Sequence, residues 1–234
     1  MAEIATRSIE ISGASFPTGK ESPNEHARGR RSAAILIALF LVSLISQIDR
    51  MLPFIMAEAI KVDLSFNDTQ IGLLTGLAFA VCYTLLSLPL ARASDRGSPR
   101  FILVSCALVW STMTALGGLA ASFLVLAFTR FGVAFGEAGA IPAGHAIIAR
   151  KIRPERRGLA IGLFALGIPL GTMVGFAAGG ALSVTFGWRT GLVGAGALGG
   201  VIGLIAFIAV GPTPPLQGTG ARAEPFLRSS MQLL

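Results

Sequence analysis

The sequence predicts an all-α membrane protein in which six transmembrane helices form a bundle, and three observations carry that prediction. Of its 234 residues, 53% are apolar and 13% charged, whereas soluble domains carry roughly 25% charge. The charges are clustered, and apolar runs of about 20 residues or more separate the clusters, long enough as helices to cross a hydrocarbon core of roughly 30 Å. Strands can cross lipid only in a closed barrel, and the alternating segments of such a barrel are absent.

Residues 1–32, rich in Ser, Gly, Pro and charge, read as a disordered cytoplasmic tail. Glu3, Glu10, Glu21 and Glu25, and the length of the apolar run that follows, argue against a signal peptide. The predicted helices span 33–56, 70–91, 99–119, 123–150, 157–184 and 189–210. Ser65-Phe66-Asn67-Asp68 offers capping side chains ahead of the second. The third follows Ser98-Pro99 and the fifth Pro154-Glu155, and the sixth stops at Gly211-Pro212. The bundle thus covers 33–211, and residues 212–234 read as a cytoplasmic linker.

Basic residues set the orientation. One side carries Arg28, Arg30 and Arg31, then Arg92, Arg96 and Arg100, then Arg150, Lys151, Arg153, Arg156 and Arg157. The other shows Lys61, offset by Glu58, Asp63 and Asp68, and Arg189. Both termini are therefore expected in the cytoplasm. The net charge of +7 is used up by this asymmetry, which leaves no basic domain for nucleic acid. Cys82 and Cys106 fall inside apolar segments and suggest neither disulfide nor metal. Small residues recur four apart, at Gly72, Gly76 and Ala80 and at Gly167, Gly171, Gly175 and Gly179, a spacing that lets helices pack closely.

Asp49, Arg50, Arg130 and Glu137 lie inside predicted spans, where a central Asp or Arg costs about 2.5–3.5 kcal/mol on insertion scales. Arg130 and Glu137, seven apart, share a face. Counted from the far ends of their helices, Asp49 or Arg50 is expected to meet Arg130 at one depth, with Glu137 about 10 Å further in. Two readings stand: static ion pairs that fix helix register, or a proton and substrate site in a cavity. His145, near the end of the fourth span, reads as a packing residue. No His/Asp/Glu cluster has metal-ligand spacing and no Ser or Cys has a plausible base, so neither an enzyme nor a cofactor is expected.

Pro89-Leu-Ala-Arg-Ala-Ser-Asp95-Arg96-Gly-Ser-Pro-Arg100 resembles the signature loop between helices 2 and 3 of the major facilitator superfamily, with Ala91 and Pro99 as departures. Arg130-Phe-Gly-Val-Ala-Phe-Gly136-Glu137-Ala resembles that family's fourth-helix pattern, with Ala134 replacing a glycine. Asp49-Arg50, Asn67-Asp-Thr-Gln-Ile-Gly-Leu-Leu74, Glu137 with Pro142, Gly167-Ile-Pro-Leu-Gly171 and Gly187-Trp188-Arg189 resemble its spinster-like members.

The resemblance covers residues 33 to 211 and implies the N-terminal six-helix bundle of a transporter that works by alternating access. It implies Asp49 and Glu137 as proton carriers, Arg50 and Arg130 as anion-facing substrate residues, and Asp95, Arg96 and Arg100 as an inter-bundle gate. The implied cargo is an amphipathic or organic anion, lysolipid-like by family, moved with protons across a bacterial inner membrane. The stretch Glu224-Pro-Phe-Leu-Arg-Ser-Ser-Met-Gln-Leu-Leu234 resembles the lead-in to a seventh helix. A second bundle, or a second copy in a homodimer, is thus the expected partner. The alternative is a non-transporting membrane scaffold or receptor that retains the fold.

Overall fold

The computed structural model describes residues 23–213; residues 1–22 of the expected tail, and all but the first two residues of the expected linker, lie outside the described residues. Among the described residues all regular structure is helical. The elements are α1 (Pro23–Ile55), α2 (Ala57–Leu64), α3 (Asp68–Gly72), a π-helical turn (Leu73–Leu77), α4 (Ala78–Arg96), α5 (Pro99–Gly117), α6 (Phe123–Lys151), a 3₁₀ turn (Pro154–Arg156) and α7 (Arg157–Val210).

At 1.5 Å per residue the 54 residues of α7 would run about 80 Å, far more than one crossing of a bilayer. Gly187 divides them, with φ 80° and ψ 158°, a left-handed-side conformation that a β-carbon disfavours. The two halves pack on different partners, Gly171 against α1 and Gly196 against α5, so they are the fifth and sixth spans.

One end of the first helix differs from expectation. α1 starts at Pro23, so ten residues assigned to the disordered tail are helical; hydropathy marks where a helix enters lipid, not where it begins. The first helix does end near residue 56, at Ile55, but a second helix follows it directly. The Met56 amide donates to the Leu52 carbonyl (2.8 Å) and its carbonyl accepts from Ile60 (2.9 Å), which carries the chain into α2. Glu58, Lys61 and Asp63 end the apolar run without ending the helix. Ser65, left-handed at φ 54°, does that. Asn67 then caps α3: its side chain accepts from the Gln70 amide (2.8 Å) while Gln70 reaches back to the Asn67 amide (2.9 Å).

The glycine stripe of α7 seats α1. Gly167 faces Ser43, Gly171 Leu44, Gly175 Ile48 and Gly179 Leu52, so the two helices run in the same direction. A β-carbon at Gly171 would stand 2.5 Å from the Leu44 carbonyl oxygen. α5 and α6 approach as closely at Gly136, whose β-carbon would stand 2.6 Å from the Cys106 carbonyl. The other expected stripe is unused: nothing lies within 4 Å of a β-carbon at Gly72 or Gly76. Four-residue spacing shows which residues share a face, not whether a neighbour occupies it.

Two apolar clusters fill the bundle. One gathers Leu39, Ile45, Leu103, Trp110, Val133 and Ile147, the other Leu52, Met56, Leu74, Leu126, Trp188 and Leu192. The charged layer lies where they meet.

Candidate functional site

Helical periodicity carries the charges inward. On α1, Val42, Ile45, Asp49 and Leu52 form one buried face, and on α6 so do Leu126, Arg130, Val133, Glu137 and Ala140. Arg50, one residue round from Asp49, points towards α4 and α6. Its Nε donates to Glu137 Oε2 at 2.8 Å, and its Nη2 lies 2.7 Å from the same oxygen. The guanidinium also lies over the rings of Tyr83 (4.7 Å) and Phe79 (5.3 Å), one turn apart on α4.

Several other polar atoms of this layer have no hydrogen-bond partner among the described residues. Neither carboxylate oxygen of buried Asp49 has a hydrogen-bond partner among the described residues, nor do Glu137 Oε1, Trp110 Nε1, or Nε and Nη2 of buried Arg130. Glu137 and Arg130 are the charged groups close enough to act on Asp49. Arg130 also borders a cavity of about 190 Å³ between α6 and the start of α4.

All four expected charges are thus in one layer: of the two residues expected near Arg130, Asp49 is the one beside it, while Arg50 meets Glu137. Depths counted from residue 56 left out α2, which carries the chain on to Leu64. Measured from there, Arg50 lies fourteen residues in, as Glu137 does from Phe123, about 21 Å in each case. Sequence reasoning did not single out Phe79, Tyr83 or Trp110. Tyr83 carried a signal, being the chain's one tyrosine and set within an apolar span.

At the basic end, Asp95 and Arg96 are exposed and their side chains find no partner among the described residues. Arg150 holds the backbone beneath them, donating to the carbonyls of Ser94 (2.9 Å), Asp95 (2.8 Å) and Gly97 (3.0 Å). Those are orphan carbonyls at the end of α4, a role that counting Arg150 as a topology marker had missed. Arg100 turns inward: Nε and Nη2 donate to the Phe207 carbonyl (3.0 and 2.8 Å), and the guanidinium stacks on the Phe207 ring at 3.7 Å.

The far end is also tied. Asp63 Oδ2 accepts from Arg189 Nη2 (2.9 Å) and Trp188 Nε1 (3.2 Å), while Arg189 Nη1 donates to the Ala120 carbonyl (2.6 Å). Between α2 and α3, Asp68 lies 2.5 Å from Lys61 and holds its ammonium above the usual lysine range. His145 meets the Phe164 ring edge-on at 5.6 Å, as a packing residue would.

The sequence model of the Major Facilitator Superfamily matches residues 39–233. An MFS-type efflux pump of Mycolicibacterium smegmatis is 40% identical over 182 residues, which cover 78% of this chain and 42% of the pump. A hexuronate transporter of Bacillus subtilis is 29% identical over 159 residues, covering 68% and 37%. The inward-facing, unoccupied crystal structure of a bacterial homolog of the human lysosomal transporter Spinster superposes with a TM-score of 0.76 at 33% identity, covering 87% of this chain and 49% of that one. The chain therefore spans less than half the length of each of these proteins. By the family match and the likeness in structure, the chain belongs to the Major Facilitator Superfamily of membrane transporters, as a spinster-like N-terminal six-helix half.

Proposed function

We propose that this half serves a proton-coupled secondary transporter of amphipathic or organic anions, lysolipid-like by family resemblance. The observation that supports it most is the Arg50–Glu137 pair, beside an Asp49 carboxyl and two Arg130 nitrogens that find no hydrogen-bond partner among the described residues. An anion that takes over the hydrogen bonds of Arg50 leaves Glu137 without its counter-charge in a water-poor layer. A proton on Glu137 then avoids an unpaired buried charge, and Asp49 offers a second carboxyl for the same purpose. Substrate and proton thus compete for one arginine, which is the elementary requirement for coupling them. Likeness to an efflux pump and to a hexuronate transporter is compatible with either direction of transport.

Alternating access needs a second bundle to rock against this one. It either follows on the same polypeptide or is contributed by a second copy. Asp95 and Arg96 would latch the two bundles at the basic end, with Arg100 acting through its hold on Phe207. That end would face the cytoplasm of a bacterium, with both termini on that side of the inner membrane. A scaffold or receptor with this fold is the second reading, but it has no need to bear the cost of an intramembrane charged layer. Uptake into liposomes of the two-bundle assembly, with and without a proton gradient, separates them: a carrier responds to the gradient and a scaffold shows no flux.

A further inference from the structure

The cavity beside Arg130 has an unusual lining. Leu73, Leu74, Phe79, Phe123 and Phe131 supply hydrocarbon, and Ala127 and Cys82 complete the wall. Among the described residues Arg130 is its one charged group, and no amide, hydroxyl or carboxylate side chain shares the lining. Arg130 is itself buried, and Nε and Nη2 have no hydrogen-bond partner among the described residues. A narrow cleft that shares Leu74, Phe79 and Arg130 leads on to Arg50.

We infer that this cavity is a substrate subsite for a monoanion with a compact apolar body, such as an aromatic carboxylate or sulfonate, and that it rejects sugar acids. The inference rests on the anion-transport reading above and narrows it. A buried guanidinium with two nitrogens that find no hydrogen-bond partner among the described residues is costly, and its planar fork suits a carboxylate or sulfonate. The rest of the anion would then lie among three phenylalanine rings. A hexuronate would bring several hydroxyls into that space and lose their water without gaining partners. Size is a further filter: at about 190 Å³ the cavity is smaller than the roughly 300–1,000 Å³ of sites for drug-sized ligands, which suits a one- or two-ring body. An anion seated here lies one cleft away from the Arg50–Glu137 pair that it would have to disturb.

The chain carries its own reporter. Cys82 lines the cavity and is half-buried, whereas Cys106 is buried in the core. The experiment measures the rate at which N-ethylmaleimide alkylates Cys82 in the purified full chain, in a Cys106→Ala background. 1-Naphthoate should slow the reaction, while D-glucuronate and the neutral analogue 1-naphthalenemethanol at equal concentration should not. Arg130→Gln should raise the naphthoate concentration needed for protection by about tenfold or more, the loss of one charge-assisted contact. Ala127→Leu, which keeps the arginine but fills the cavity, should abolish protection and covers the case in which Arg130→Gln does not fold. Protection by the alcohol equal to that by the acid would show a greasy cleft without anion selectivity. Protection by glucuronate, or undiminished protection in both variants, would also overturn the inference. Wild-type flux that does not respond to a proton gradient, with naphthoate protection intact, would instead sink the coupling reading and leave the subsite standing.

Discussion

Glu137→Gln removes the negative charge on which two nitrogens of Arg50 converge, at 2.8 and 2.7 Å. Stripping one partner from a fully buried ion pair costs about 3–5 kcal/mol. Here the Glu137 side chain is fully buried but that of Arg50 is 27% exposed. The guanidinium also keeps its place over Tyr83 at 4.7 Å, so its charge is partly cared for without the carboxylate. The expected loss is therefore about 1–3 kcal/mol. Arg50→Gln should cost a similar amount, because it leaves a fully buried carboxylate without its counter-charge. In the double variant both charges are gone, so its loss should fall short of the sum by about 1–2 kcal/mol, within the range for residues in contact. Unfolding in mixed micelles with increasing SDS gives the four free energies. Additivity within about 0.5 kcal/mol would refute the pair as an energetic unit.

Three further outcomes follow from the packing. Gly171→Ala places a methyl 2.5 Å from the Leu44 carbonyl and should destabilise by about 1–3 kcal/mol, whereas Gly76→Ala, with nothing within 4 Å, should be neutral or gain up to about 1 kcal/mol; thermal unfolding in detergent compares them. Arg150→Gln unties three carbonyls at the end of α4 and should cost about 1–3 kcal/mol, with faster amide exchange at residues 94–98. Asp63→Asn removes the charge that Arg189 and Trp188 share, and a shift in Trp188 emission, read in a Trp110→Phe background, should report the loosened far end.

The sequence revealed whatever depends on local pattern. Hydropathy placed the spans, Ser65-Phe66-Asn67-Asp68 announced a capping side chain that Asn67 supplies, and the buried faces of α1 and α6 follow from charges spaced among apolar residues at helical period. The boundary expected between 184 and 189 is the break at Gly187. Pattern failed where a partner had to be chosen. Arg50 was open to either pairing because its depth depends on α2, a further helix that holds Glu58, Lys61 and Asp63. The stripe at Gly72 and Gly76 looks like that at Gly167 and Gly171, yet one packs and the other does not. Trp110 and Phe79 looked like ordinary apolar-span residues until three helices brought them to the charged layer.

Proton coupling through Asp49 and Glu137 is tested most directly by comparing two fluxes in the same liposomes of the two-bundle assembly. One is uptake driven by an imposed proton gradient; the other is exchange of labelled for unlabelled substrate with no gradient. Asp49→Asn and Glu137→Gln should abolish or greatly reduce the first and retain the second, because a neutral side chain still permits the bundle to cross between its states with substrate bound. Gradient-driven uptake at the wild-type rate in both variants would contradict the account.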